Sequence, residues 1–184
     1  VAKYRSNEIK PVVFPNEWQK SKKQKSVSGT VSPKGEKYRA YFQSLIDDLR
    51  ERHRYTGAKV GQPQSWYSFS ASRLKGILYS ASFAQGGRVR TEVYIDQQDV
   101  DKNKALFDTL YLHASEIGDE FDINLEWERL DNRRASRIAI YGNGSIEDSD
   151  SDLEKIHSWH IKNLLKFKEV FSPRIKAIIA DMKE

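Results

Sequence analysis

Apolar residues along this chain change their period several times, and each change marks an element. Tyr38, Tyr41, Phe42, Leu45, Ile46 and Leu49 recur at steps of three and four with charges between them, which predicts an amphipathic helix from Glu36 to about His53. Arg50, Arg52, His53 and Arg54 close it before Gly57, where the negative end of a helix dipole favours cations. Past Gly61-Gln-Pro63 the period drops to two over residues 66–71, 76–83 and 88–95, so three strands follow, the last two joined at Gly86-Gly87. In the third, Val89, Thr91, Val93 and Ile95 are expected to face inward, and Arg88, Arg90, Glu92 and Tyr94 outward.

Helical spacing returns over residues 101–117 with Leu106, Phe107, Leu110 and Ala114. Two further strands, 123–130 and 136–141, are separated by the turn-forming Asp131-Asn-Arg-Arg134. A long last helix from about Leu153 carries Ile156, Trp159, Leu164, Leu165, Phe171, Ile175 and Ile178, and Pro173 is expected to kink or break it. Ser151 and Glu154 read as a capping box at its start, with Asp150 and Asp152 near the positive helix end. The order α-βββ-α-ββ-α implies an α+β domain: a mostly antiparallel sheet of about five strands with helices packed against it.

Ahead of this pattern, residues 1–35 read as a leader and residues 36–184 as one domain. Two prolines bracket Val12, Val13 and Phe14, and a Lys/Gln/Ser/Gly tract follows with too little apolar surface to offset its ordering entropy. Val12, Val13, Phe14 and Trp18 could dock as an edge strand. The net charge of +5 divides unevenly: residues 1–37 hold nine Lys and Arg against three Glu, while the remainder holds 22 against 23. The basic excess therefore belongs to the leader and not to the domain. A start at Val1, with Met182 the one methionine, fits a piece of a longer protein. The chain has no cysteine, so it can form neither a disulfide framework nor a thiolate site, which fits a cytoplasmic setting. Its longest apolar runs are far short of the roughly 20 residues that cross a bilayer, so no membrane partner is expected.

A helix, three meandering strands and a further helix and strand resemble the core of PD-(D/E)xK nucleases, whose carboxylates hold a divalent cation beside an assisting lysine. The second strand here has no acid, and the third offers Glu92-Val-Tyr94 with tyrosine where lysine is required, so the topology is nuclease-like without the nuclease carboxylates. Pairing of Glu92 with Arg88 or Arg90 on a solvated face explains it better. Glu126 and Glu128 share one face of a strand with Trp127 on the other, and cross-strand pairing with nearby arginines accounts for them. Asp148-Ser-Asp-Ser-Asp152 lacks the Gly and Glu of a calcium loop. His157 and His160, three apart, read as partly buried histidines in preference to metal ligands. No catalytic residue, metal site or cofactor is assigned. Basic residues near aromatics are the positive hint: Lys20, Lys22, Lys23 and Lys25 beside Trp18, and Arg88, Arg90, Arg133 and Arg134 on the sheet, as candidate phosphate contacts.

Tyr41-Phe-Gln-Ser-Leu45, Arg90-Thr-Glu-Val-Tyr-Ile95, Asn103-Lys-Ala-Leu-Phe-Asp-Thr-Leu110 and Leu125-Glu-Trp-Glu-Arg129 with Arg137-Ile138 carry a resemblance over Tyr38 to about Ile179. The chain resembles a domain of unknown function found in bacterial and archaeal proteins, commonly C-terminal to a restriction-endonuclease-like module. Phe14-Pro-Asn-Glu-Trp18 is similar to the segment that joins the two. The resemblance implies an accessory, non-catalytic domain of a DNA-processing or defence protein that helps bind or position nucleic acid. Its partners would be DNA and an N-terminal nuclease-like module of the same protein, which would hold the nuclease activity. A protein-interaction or homodimerisation module is the alternative, and a divalent-metal nuclease the third.

Overall fold

A computed structural model describes residues 31–182 apart from 72, 73 and 122. The first helix, α1 (Pro33–Glu51), starts slightly before the periodic residues because Ser32 caps it, its hydroxyl accepting from the amide of Gly35, with Pro33 pre-set for the first turn. Phe42, Leu45, Ile46 and Leu49 are buried on one stripe, as the spacing predicts.

Five strands form one sheet in the order β1-β2-β3-β5-β4: β1 (Trp66–Ser70), β2 (Ile77–Ala84), β3 (Arg88–Ile95), β4 (Glu126–Glu128) and β5 (Ser136–Asn143). Every pairing is antiparallel. The β2–β3 link passes through Gly86 and Gly87 at φ +76° and +65°, left-handed backbone that glycine adopts without steric cost. β5 lies inside the sheet between β3 and β4, although β4 precedes it in the chain.

Helices α2 (Val100–Tyr111), α3 (Ala114–Asp119) and α4 (Asp150–Asp181) are the other helices among the described residues. The single helix expected over residues 101–117 is two, α2 closing at Leu112 and α3 starting after His113. The strand expected at 123–130 shrinks to three residues, Glu126 to Glu128. The cap of α4 is Ser149, whose hydroxyl accepts from the Asp152 amide, so the expected box at Ser151 and Glu154 sits two residues too late. Pro173 does not break α4. Its missing amide frees the carbonyl four residues back, at exposed Glu169, while Phe171 and Ile175 on either side of the proline are fully buried. Packing holds the helix where propensity alone would end it.

The core lies on one side of the sheet. Tyr67, Phe69, Ile77, Tyr79, Ala81, Phe83, Val89, Val93, Ile95, Ile138 and Ile140 share that face by register and join the buried stripes of α1, α2 and α4 in one cluster. Trp127 reaches the same side and meets Phe107, Tyr111 and Phe171 edge to face. Period-two alternation therefore sends Arg88, Arg90, Glu92 and Tyr94 to the opposite face, as expected.

A buried lysine fixes the β4–β5 turn. Lys104 Nζ donates to the carbonyls of Arg129 (2.5 Å), Leu130 (3.0 Å) and Ala135 (2.8 Å) and to Ser136 Oγ (3.1 Å). It thereby holds Leu130 at φ +57°, a conformation that leucine rarely adopts. Desolvation, then the nearby Arg129 charge, lowers the pKa of Lys104.

Candidate nucleic-acid interface

The face away from the helices has an ordered pattern that register makes explicit. Its middle row runs Ser68, Ser80, Glu92, Ala139 and Glu126 across all five strands, so small side chains surround Glu92. On either side, Arg90 stands opposite Tyr141 and Tyr94 opposite Arg137, an alternation of guanidinium and phenol over the adjacent inner strands β3 and β5.

Around Glu92 the charges close into a ring. Arg137 Nε lies 2.6 Å and Arg90 Nε 3.1 Å from Glu92 Oε2, at ion-pair distance but without hydrogen-bond alignment at those atoms. Arg137 Nη1 then donates to Glu128 Oε2 (3.2 Å), and Tyr141 Oη donates to Glu128 Oε1 (2.6 Å). The Arg90 guanidinium returns over the Tyr141 ring at 5.9 Å. Burial and the neighbouring carboxylates raise the pKa of Tyr94 and Tyr141, so both phenols stay protonated.

Glu92 is thus not on a solvated face as expected: it is 6% exposed and gripped by two arginines, of which Arg137 comes from the neighbouring strand. That environment also disfavours a divalent cation, which two guanidinium groups would repel. Glu128 pairs across strands with Arg137 in the expected way, while Glu126 is exposed.

The candidate phosphate contacts separate into distinct roles. Arg88 is exposed, its guanidinium lying 4.4 Å over the Tyr141 ring, a cation–π geometry that leaves its outer donors toward solvent. Arg90 is spent on Glu92. Arg134 is half exposed but holds Asp96 with two bonds of 2.7 Å. Arg133 is exposed on the same turn, close enough to Tyr94 to act on its titration. Lys20, Lys22, Lys23 and Lys25 lie outside the described residues, as do Val12, Val13, Phe14 and Trp18. Of the expected set, Arg88 keeps its outer donors toward solvent, whereas Arg90 and Arg134 would first have to give up Glu92 and Asp96.

Sequence reasoning missed Tyr141 and Asp96, which decide what the arginines do. The alternation Arg137, Ala139, Tyr141 was readable, but its partner strand was not, because only the strand order puts β5 beside β3.

Histidines 157 and 160 do not converge on a common point as ligands. His160 is fully buried with Nδ1 2.7 Å from Tyr41 Oη, and His157 Nε2 sits 3.5 Å from Ser44 Oγ and 3.8 Å from Asp48 Oδ2. Serine and carboxylate approach the same ring nitrogen, so this is no relay of the serine–histidine–acid kind, which needs one on each. Among the described residues, no three His, Cys, Asp or Glu side chains gather as a metal site requires, and no helix is long and apolar enough to cross a membrane.

Residues 37–175, from α1 into α4, match the family described as Domain of unknown function (DUF4268). The chain belongs to the DUF4268 family. The match covers all five strands, so the Arg–Tyr face lies within the DUF4268 region. No curated protein and no solved structure matches the chain.

Proposed function

We propose that this DUF4268 domain is an accessory, non-catalytic part of a restriction-endonuclease-like DNA-processing or defence protein of the cytoplasm. It helps bind or position nucleic acid while a nuclease module in the same protein cuts. The observation that carries this reading is Arg88 stacked on Tyr141 beside the Arg137–Tyr94 pair, on the sheet face away from the helices. Nucleic acids are held by cations on phosphates and by aromatic or guanidinium planes on bases, and this face offers both on two rigid inner strands. Its internal ion pairs keep net charge low, so it would position a strand more than capture one. The lysine tract of the leader would add phosphate contacts.

Fluorescence anisotropy with single- and double-stranded oligonucleotides over a salt series tests this. Affinity should fall steeply with salt, and Arg88→Ala with Arg133→Ala should weaken binding and flatten that dependence, as should joint replacement of Lys20, Lys22, Lys23 and Lys25 by Ala. Binding that ignores salt and survives both sets of substitutions would remove the proposal.

A second reading, a protein-interaction or homodimerisation module, is favoured by Tyr111 and Leu112, which are 56% and 82% exposed, with Tyr111 packed on Trp127 of edge strand β4. A strictly monomeric solution mass at high concentration would count against self-assembly.

A further inference from the structure

A cavity of about 450 Å³ opens at the end of the sheet where β2 begins and β3 ends. Ala71, Leu74, Ile77 and Leu78 give it apolar walls, and Gln97 and Asp96 supply polar groups on the opposite side. The size falls within the range of sites for small organic ligands, as does the combination of apolar walls with a few polar groups.

The polar side of the cavity is built rigidly. Asp96 donates its amide to the carbonyl of Gly76 (2.7 Å), Gln97 donates its amide to Asn103 Oδ1 (2.8 Å), and Gln98 donates to Asp96 Oδ1 (3.1 Å). Arg134 clamps the Asp96 carboxylate from outside. Gln98 is held at φ +66°, a left-handed conformation that a glutamine keeps only where its surroundings enforce it. Within this frame, Gln97 Nε2 is buried with no hydrogen-bond partner. A buried amide donor left alone is costly, so the half-buried Gln97 side chain gains by turning toward a ligand that brings an acceptor into the cavity.

The cavity adjoins the Arg–Tyr face. Leu78, one of its walls, stands opposite Tyr94 in the register, and Asp96, another, holds Arg134. Lys75 is exposed at its mouth.

We infer that this cavity takes an unpaired nucleobase, with Gln97 donating to an acceptor on the base edge and Lys75 meeting the adjoining phosphate. A nucleobase has the required form, with apolar ring faces to lie between aliphatic walls and hydrogen-bond acceptors along one edge. The inference rests on the nucleic-acid reading of the neighbouring face and names the part of the strand that is read.

The test compares an intact single-stranded oligonucleotide with one of equal length made of abasic sugars, together with a free deoxynucleoside, each titrated against the full chain and its Gln97→Ala variant. The intact strand should bind about tenfold more tightly than the abasic one, the scale of one stacked base. Gln97→Ala should erase that preference and leave the salt dependence unchanged, whereas Arg88→Ala should weaken both strands alike. An unchanged thermal midpoint shows that Gln97→Ala folds, and Gln97→Met, similar in length and uncharged but without the donor, should behave in the same way. Equal affinity for intact and abasic strands, or a preference that survives both Gln97 variants, overturns the inference and leaves the interface reading standing. If no strand binds but the free deoxynucleoside does in a Gln97-dependent way, the cavity is a nucleobase site and the interface reading fails. Binding of none of these ligands removes both.

Discussion

Tyr41 of α1 and His160 of α4 share one hydrogen bond of 2.7 Å, closed inside an aromatic shell of Phe42, Phe83 and Trp159. Burial raises the pKa of the Tyr41 phenol, which stays protonated and can donate to Nδ1 of His160, the arrangement in which the ring proton resides on Nε2. That nitrogen has no partner of hydrogen-bond geometry, although the carbonyls of Ser82 and Arg90 act on it. Burial first, and the charge of His157 second, pushes the pKa of His160 down from 6.5 to about 3.

The consequence is a one-sided pH dependence. Because the folded pKa is depressed, the unfolded chain takes up a proton below about pH 6.5 that the folded chain refuses until near pH 3. Stability should be full above that window and fall on acidification by up to about 1.4 kcal/mol per pH unit from this group. Urea unfolding between pH 7.5 and 4.5, values chosen to span roughly that window, checks it. His160→Phe should flatten the slope even where it lowers stability at neutral pH.

Replacing Lys104 by Met should cost about 2 kcal/mol, since it leaves the Ala135 carbonyl without its donor and takes a second donor from the carbonyls of Arg129 and Leu130, which keep only Ser136 Oγ and the Arg133 amide. Lys104→Arg should rescue little, because a planar fork does not reproduce the convergence of an ammonium. Denaturant titration reads the loss. Hydrogen exchange should place it first at the β4–β5 turn, where Leu130 depends on that clamp.

Glu92→Gln removes the charge that Arg90 and Arg137 share and should destabilise the chain by about 3 kcal/mol, as breaking a buried ion pair does. Replacing Glu92 together with both of its arginines, Arg90 and Arg137, by Leu should recover most of that loss. A thermal denaturation series over the single and triple variants measures the coupling. Destabilisation without any change in magnesium binding by calorimetry is the outcome expected of an ion-pair role.

Gly76 sits at φ +79°, and a Cβ there would lie 2.5 Å from the carbonyl oxygen of Asp96. Gly76→Ala should therefore cost more than the roughly 1–2 kcal/mol of left-handed backbone alone, because a backbone atom cannot move aside as a side chain can. Thermal midpoints of the variant and the parent chain decide the sign and size.

Much of this architecture was legible because period reports burial directly. The stripe of α1 and the two faces of β3 follow from spacing alone. What period could not convey was depth: Pro173 reads as a break, yet the buried Phe171 and Ile175 carry α4 past it. Nor could it convey adjacency. Arg90 and Arg134 read as a basic stripe until Glu92 and Asp96 are seen to hold them, contacts that depend on where strands and turns meet in space. The leader's lysines were legible only as composition, which describes charge and not shape.

The strand order also constrains how the chain must assemble during synthesis. β5 is the last of the five described strands to be made, yet it lies inside the sheet, pairing with β3 on one side and β4 on the other. Until residues 136–143 leave the ribosome, β3 presents a bare edge of eight residues, four of which will face the core. A nascent chain stalled before Ser136 is therefore a template for foreign strands, and protection from them arrives all at once when β5 inserts.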